Sequence, residues 1–172
     1  MTSEQSTPSA PEAPETASPR RAGIRYALGR AIATPLARMV YRPHIEGREN
    51  VPRSGAVIFA SNHLSFIDSM AIPVAAPRPV HFLAKASYFE GTGLSGAASR
   101  VFFTSVGAIP VRRGGGQAAL DALDLQRQLL DEGLAVALYP EGTRSTDGRL
   151  YKGRTGVAFL ALQTGAPWCR SG

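Results

Sequence analysis

The sequence has a single cysteine, Cys169, among its 172 residues, so it cannot form an internal disulfide framework. It also lacks any run of about 18 consecutive apolar residues, the length that a membrane-spanning helix needs. The N-terminus has no basic start followed by an apolar stretch, which is the pattern of a secretory signal. These absences predict a protein that stays on the cytoplasmic side.

Lysine is scarce, because Lys85 and Lys152 are the only lysines among 19 basic residues. Residues 1–19 contain three acids amid Ser, Thr, Pro and Ala. Such a segment buries too little apolar surface to offset its ordering entropy, so we expect it to be disordered. From Arg20 onward, 19 bases face 10 acids, and the arginine fork suits phosphate. On charge alone, nucleic acid, anionic lipid and a phosphorylated small substrate all remain open as partners.

Residues 20–42 have the pattern of a basic amphipathic helical segment, which Pro35 would kink or split. Arg30 and Thr34 fall opposite an apolar stripe. The stripe consists of Ile24, Leu28, Ile32, Leu36 and Met39. Two interpretations are open at this point: the stripe packs on a domain, or it lies in a membrane interface.

Strand-like apolar runs alternate with helical patterns over the rest of the chain, which predicts an α/β fold with a mixed, largely parallel sheet flanked by helices. The clearest helix covers 117–132, with Leu120 among its buried leucines, and a last helix covers about 155–163. Four side chains follow the ends of predicted strands: His63, Lys85, Arg112 and Glu141. Parallel sheets place their sites at this edge, so we expect one cleft.

His63 and Asp68 stand about 140° apart around a regular helix, so they cannot share a helix face. They can meet if His63 lies in a loop before a helix that Ser65 caps and Asp68 lies in its first turn. Asp68 would then hold one imidazole nitrogen, and the other could take a proton from a substrate hydroxyl. A core histidine with a capping aspartate would show the same spacing. No third metal ligand stands at a familiar spacing, so we predict no metal site and interpret His44 and His81 as structural.

The segment Tyr139–Ser145 places a turn directly after an apolar strand. Gly142 permits a backbone conformation that other residues avoid, and Arg144 can grip a phosphate with two hydrogen bonds. Glu141 can accept a hydrogen bond from a hydroxyl or position an arginine. A solvated turn with a local ion pair would have the same composition.

Together these segments resemble the glycerolipid acyltransferase family, in particular its lysophosphatidic acid acyltransferases, from about Gly55 to Pro167. The segment Lys152-x-Arg154-x-Gly156 matches the family's Lys-x-Gly pattern less well. The blocks that carry the resemblance are Asn62-His63-x-Ser65-x-x-Asp68, Phe82-Leu83-Ala84-Lys85, Gly107-Ala108-Ile109-Pro110-Val111-Arg112 and Tyr139-Pro140-Glu141-Gly142-Thr143-Arg144-Ser145.

The resemblance implies an acyltransferase domain over 43–172 that acylates the free hydroxyl of lysophosphatidic acid in phospholipid biosynthesis. It implies that His63 is the general base and that Asp68 orients it. The acyl donor would be acyl-CoA or an acyl carrier protein, with no cofactor. The resemblance also favours peripheral attachment of residues 20–42 to the cytoplasmic face of the membrane. The residues implied to hold the phosphoglycerol group are Lys85, Arg112, Glu141, Gly142, Thr143 and Arg144.

The resemblance weakens at the C-terminus, where Arg170 stands at a position that the family's last strand fills with an apolar residue. We therefore expect a C-terminally incomplete domain, such as a truncated or frame-shifted gene product, whose sheet has lost this strand. Three other functions remain open: an acyltransferase for another lysolipid or glycolipid, an inactive membrane-binding remnant, and a hydrolase in which His63 activates water.

Overall fold

The computed structural model describes residues 23–112 and 114–171, in which five α-helices alternate with five strands. Residues 1–19, for which we predict disorder, and Arg113 lie outside the described residues. Short 3₁₀ turns cover Arg48–Asn50 and Ala86–Tyr88. The elements are α1 (Ile24–Tyr41), β1 (Val57–Ser61), α2 (Asp68–Ala75), β2 (Val80–Lys85), α3 (Gly93–Ser105), β3 (Ala108–Val111), α4 (Gly116–Asp131), β4 (Ala135–Leu138), α5 (Gly156–Thr164) and β5 (Trp168–Ser171).

The five strands form one sheet in the order β3-β2-β4-β1-β5, and every neighbouring pair is parallel. The α/β class is confirmed, but the expectation of a mixed sheet is wrong for the described residues. A helix connects each strand to the next along the chain, so each strand returns in the same direction. All five carboxyl ends therefore lie at one edge of the sheet.

The core has two layers, because alternate residues of each strand point to opposite faces of the sheet. On β1, Val57 and Phe59 belong to the cluster under α2 and α3, which also contains Ile72 and Phe103. Ile58 belongs to the cluster on the opposite face. That second cluster also contains Leu129, Leu130, Val136, Leu160 and Ala166. Helices cover both faces of the central strands, which explains why these strands are almost continuously apolar.

Helix α1 is attached to the domain through polar side chains. Tyr26 is only 3% exposed, and its hydroxyl pairs with both the N–H and the carbonyl of Val80 at the start of β2. One turn further on, the Arg30 guanidinium donates to the carbonyls of Pro73 and Ala76 at the end of α2. These bonds satisfy carbonyls that the end of α2 leaves unpaired.

The apolar stripe of α1 therefore faces away from the domain, and the interpretation that it packs on the domain is wrong. Gly29 of α1 lies so close to Ser105 of α3 that a Cβ could not fit between the two helices.

Helix α1 continues through Pro35 without splitting into two helices. No helix in 23–112 or 114–171 combines the length and apolar character needed to cross a bilayer. The stripe residues are all more than half exposed: Ile24, Leu28, Ile32, Leu36 and Met39.

The helix predicted at 117–132 is present as α4, but Leu120 is 60% exposed and the expectation that it is buried is wrong. The buried residues of α4 are Gln126, Leu129 and Leu130. Their stripe is centred near Gln126, and Leu120 lies about 120° from that centre at 100° per residue. The spacing of the leucines alone therefore predicted a buried face that is rotated away from the one in the structure.

The last strand is present, contrary to the expectation that the sheet has lost it. β5 pairs with β1, with Ile58 opposite Trp168 and Ser61 opposite Ser171. Arg170 is exposed, since β5 is an edge strand whose residues alternate between exposed and partly buried positions. An arginine at this position is therefore compatible with the strand.

Candidate active site

The order of the strands decides which predicted residues meet. β1 and β4 are neighbours, with Ala60 opposite Leu138. His63 follows the end of β1 and Tyr139 follows the end of β4, so these two residues lie side by side. The carboxyl edge of a parallel sheet is where side chains from different segments converge.

The hydrogen bond predicted between His63 and Asp68 is present, with 3.1 Å between His63 Nδ1 and Asp68 Oδ2. The same oxygen accepts the backbone N–H groups of Leu64 and Ser65, each at 2.7 Å. The Ser65 hydroxyl in turn accepts the N–H of Ile67 at 3.2 Å, which completes the turn that leads into α2. An ionised carboxylate can only accept, so Nδ1 carries the proton and Nε2 presents a lone pair. That tautomer suits proton abstraction from a hydroxyl.

Tyr139 covers one face of the imidazole, a contact that the sequence did not indicate. The ring centroids of His63 and Tyr139 are 3.8 Å apart and the planes differ by 10°. The Tyr139 hydroxyl lies 3.0 Å from Ser69 Oγ, in the residue that follows Asp68. Burial raises the pKa of Tyr139, the Ser69 bond opposes this, and the charge of Asp68 adds to it. The phenol therefore keeps its proton at neutral pH.

The loop after β4 folds back onto the His63 segment. The Ser145 N–H donates to the His63 carbonyl at 2.8 Å, and the Arg154 N–H donates to the Pro140 carbonyl at 2.8 Å. Inside the loop, Asp147 accepts the N–H of Arg149 and the hydroxyl groups of Tyr151 and Ser145. These hydrogen bonds, the first above all, hold the pKa of Asp147 below its usual range. Backbone hydrogen bonds therefore fix both ends of the loop, and the Asp147 carboxylate stabilises its interior.

Glu141 lies under this loop and does not line the cleft. Its side chain is buried, and Oε2 accepts the N–H of Tyr151 at 3.1 Å. Its other oxygen, Oε1, is buried without a partner among the described residues. The structure therefore places Glu141 as a support for the loop, whereas the resemblance implies contact with the substrate.

A cleft of about 620 Å³ opens beside His63. Three guanidinium-bearing residues line it, Arg112, Arg144 and Arg154, together with Gly142 and Thr143. No carboxylate in 23–112 or 114–171 forms an ion pair with any of these arginines. Their positive charge is therefore available to an anionic ligand.

Arg154 was not among the predicted site residues. Its side chain passes over Gly142, so a Cβ at that position would lie 3.3 Å from Arg154 Nε. Gly142 has a φ of +74°, which side chains disfavour. The sequence signal that could have indicated Arg154 is the weak Lys-x-Gly match, because Arg154 stands two residues before Gly156, where that pattern has its lysine.

Lys85 ends β2, is exposed, and does not line this cleft. A second, larger cavity of about 1070 Å³ lies beyond the 62–68 segment and is lined by Asp68 but not by His63. We place the chemistry in the smaller cleft, because it contains both the imidazole and the arginines. No group of three or more potential metal ligands is found within the part of the chain that the structure describes.

The fold and this site define the class of the protein. The family described as Acyltransferase matches residues 42–169, which is most of the chain. The chain belongs to the acyltransferase family.

Similar proteins of named activity include two plant chloroplast enzymes. The chain is 33% identical over 126 residues to 1-acyl-sn-glycerol-3-phosphate acyltransferase LPAT1 of Arabidopsis thaliana, which covers 73% of this chain and 34% of that protein. It is 32% identical over 128 residues to the BAT2 enzyme of the same name from Brassica napus, covering 74% and 36%. The chain therefore spans about a third of the length of these relatives.

A solved structure has the same fold. It is the 1-acyl-sn-glycerophosphate (LPA) acyltransferase PlsC from Thermotoga maritima, which matches with a TM-score of 0.62 and 22% identity. The match covers 83% of this chain and 55% of that one. At this identity the likeness supports the α/β architecture of the described residues and no more.

Proposed function

We propose that this chain transfers an acyl group from a thioester to the free hydroxyl of lysophosphatidic acid, giving phosphatidic acid. The observation that carries the proposal is a His–Asp pair whose imidazole lines the same cleft as three arginines without ion-pair partners in the described ranges. A base beside a phosphate-binding surface fits an acceptor that carries both a hydroxyl and a phosphate. The names of the relatives support this acceptor.

The reaction would begin with the acceptor hydroxyl near His63 Nε2. The imidazole takes the hydroxyl proton as the oxygen forms a bond to the thioester carbonyl carbon. The carbon–sulfur bond then breaks, and the sulfur leaves with the proton that His63 returns. Asp68 holds the imidazole and stabilises its charged form. The nucleophile belongs to the substrate and the thioester is already activated, so this chemistry requires no cofactor.

The arginines would hold the acceptor's phosphate. Arg112, Arg144 and Arg154 approach the cleft from three segments, the end of β3 and the two arms of the loop after β4. Charge-assisted hydrogen bonds from guanidinium to phosphate are stronger than neutral ones. Binding energy taken from the phosphate positions the hydroxyl, which sits elsewhere on the acceptor. The same surface suits the phosphates of CoA or of a carrier protein's prosthetic arm, so both donors remain candidates.

The outward stripe of α1 would attach the protein to the cytoplasmic face of a membrane. A stripe of large apolar side chains on one helix, with Arg38 and Arg42 at its C-terminal end, matches a helix lying in the interface plane. Each basic side chain near an anionic leaflet contributes about 1 kcal/mol. Such attachment would bring the protein to the surface that contains its lipid acceptor.

The experiment that tests the proposal measures thiol release from acyl-CoA and, in parallel, from an acylated carrier protein, with and without lysophosphatidic acid, on phosphatidylglycerol vesicles, and identifies the product by mass spectrometry. We expect acceptor-dependent thiol release and phosphatidic acid. Free fatty acid at an equal rate without acceptor would indicate a hydrolase. Product only with another lysolipid would indicate a different acceptor, and vesicle binding without thiol release would indicate a membrane-binding remnant; each of these three results overturns the proposal.

A further inference from the structure

We propose that Tyr139 is a positioning residue for His63, acting through its ring on the imidazole and through its hydroxyl on Ser69. The inference deepens the proposed function and rests on it, since it assumes that His63 must be held in one orientation to act as a base. The contact itself is independent of the reaction.

The hydrogen bond to Asp68 does not by itself fix the orientation of the His63 ring. A single bond from Nδ1 to Oδ2 restrains that nitrogen, but the ring can still rock about its Cβ–Cγ bond within the range that one hydrogen bond tolerates. A swing of this kind moves Nε2, the atom that must reach the hydroxyl. A flat ring 3.8 Å away and tilted by only 10° blocks the swing on one side. Ser145, which donates its N–H to the His63 carbonyl, holds the backbone at the same time.

The hydroxyl of Tyr139 connects the ring to α2. Its partner Ser69 directly follows Asp68, so the stacked ring is fastened to the same helical turn that carries the carboxylate. The imidazole is therefore held on one face by the ring and at Nδ1 by the carboxylate, and both of these groups are attached to the start of α2. Phenylalanine would provide the ring without this connection.

Tyr139 does not exchange protons in this arrangement. Burial keeps its hydroxyl protonated, and that hydroxyl is bonded to Ser69. The charged groups around the imidazole are Asp68 from the first turn of α2 and the arginines of the cleft at positions 112, 144 and 154. Tyr139 contributes a neutral surface among them, which suits a role in orientation.

The test uses the full chain and four variants, Tyr139→Phe, Tyr139→Leu, Ser69→Ala and the double variant Tyr139→Phe/Ser69→Ala. We expect Tyr139→Leu to lower kcat about 10- to 100-fold with a KM for lysophosphatidic acid within about twofold of wild type, since misplacing a reacting atom costs rate. Tyr139→Phe should restore most of the loss and remain about two- to fivefold below wild type. Ser69→Ala should match Tyr139→Phe, and the double variant should be no slower than either.

A second measurement does not depend on turnover. In the wild type, the NMR signal of the His63 Nδ1 proton should be protected from exchange with water, and the His63 ring protons should be shifted upfield by the stacked phenol. Tyr139→Phe should keep the ring shift, and Tyr139→Leu should lose both signatures. His44, which is exposed, provides the internal reference.

The two measurements separate the possible failures. If the wild type acylates no lysolipid but the NMR signatures behave as expected, the proposed function fails and the positioning contact stands. If Tyr139→Leu retains the wild-type kcat, or if the Nδ1 proton stays protected in that variant, the inference is overturned. Should Tyr139→Leu not fold, unequal effects of Tyr139→Phe and Ser69→Ala would overturn it.

Discussion

One oxygen of the Asp68 carboxylate accepts hydrogen bonds from three N–H groups. One of these N–H groups belongs to the His63 imidazole, and the other two belong to the backbone. The two backbone bonds hold Oδ2 where His63 Nδ1 can reach it. The carboxylate therefore determines both the tautomer of His63 and the geometry of the turn that precedes α2.

Replacing Asp68 by Ala should lower kcat by about 10²–10⁴-fold, since no acceptor then holds the proton on His63 Nδ1 or stabilises the charged imidazole. Thiol release at saturating acyl-CoA and lysophosphatidic acid measures the effect, and thermal unfolding checks the fold. A kcat within threefold of wild type in a folded variant would mean that Asp68 does not orient the base.

Gly142→Ala tests the contact between the turn and Arg154. The positive φ makes alanine cost about 1 kcal/mol in the free energy of unfolding, and the added Cβ pushes on the guanidinium. We expect the KM for lysophosphatidic acid to rise about tenfold, because a displaced arginine loses charge-assisted bonds.

Gly148→Ala is the matched control for this change. Its φ is +77°, but no atom lies within 4 Å of the position that its Cβ would occupy. It should destabilise the protein to a similar degree without changing KM. An equal rise in KM in both variants would show that backbone strain, and not Arg154, causes the effect.

The individual site residues were predictable to different degrees. His63 and Asp68 lie five positions apart, so local sequence was sufficient to predict that they meet. Tyr139 reaches His63 only because β4 lies beside β1, and strand order cannot be read from apolar runs. Arg154 reaches the cleft through the closure of a loop, which depends on long-range hydrogen bonds.

On the scale of elements, α1 shows the limit of a periodic pattern. Helical spacing identified its two faces correctly but could not decide which one packs on the domain. Tyr26 and Arg30 decide it, since their bonds to β2 and to the end of α2 hold the polar face inward. Leu120 of α4 illustrates the same limit, because the buried stripe of that helix is centred on a glutamine.

The double substitution Ile32→Gln/Leu36→Gln should weaken binding to phosphatidylglycerol vesicles by at least about tenfold, because two large side chains no longer bury apolar surface in the interface. Both side chains are exposed, so the free energy of unfolding should change by less than about 1 kcal/mol. Vesicle flotation measures binding.

Tyr26→Phe, on the same helix, is a control that should change stability but not membrane binding. It removes the hydroxyl bonded to Val80 and should lower the free energy of unfolding by about 1–3 kcal/mol. Vesicle binding should not change. If the glutamine variant floats as well as the wild type, the outward stripe is not the membrane-binding surface.

On the scale of the whole molecule, stability should depend on pH through His81, a buried histidine on β2 next to Tyr26. Burial lowers the pKa of His81, and a backbone hydrogen bond with Gly107 opposes this in part. The unfolded chain takes up the proton near its ordinary pKa of about 6.5, and the folded chain only at lower pH. The free energy of unfolding is therefore highest above this pH and falls as the pH decreases from about 7 to 5, by at most about 1.4 kcal/mol per pH unit.

Thermal or urea unfolding across this pH range measures the dependence. His81→Phe should flatten the curve relative to wild type, whereas His44→Asn, which changes an exposed histidine, should leave the slope unchanged. If the free energy of unfolding of His81→Phe depends on pH as steeply as that of the wild type, the pH dependence belongs to other groups.

The architecture of the whole molecule was predictable in class, because alternating helices and strands leave few arrangements other than a layered α/β sheet. The expectation of a missing last strand failed for a physical reason. An edge strand needs only backbone hydrogen bonds on one side and tolerates an exposed arginine, so Arg170 did not prevent β5 from forming.

The most direct test of the account is the rate of phosphatidic acid formation by His63→Ala, with His44→Ala as the matched control. A general base contributes about 10²–10⁴-fold. We predict a loss of this size for His63→Ala, with a cooperative thermal unfolding transition retained, and the wild-type rate for His44→Ala. Phosphatidic acid formation by folded His63→Ala at the wild-type rate would contradict the central claim that this imidazole activates the acceptor hydroxyl.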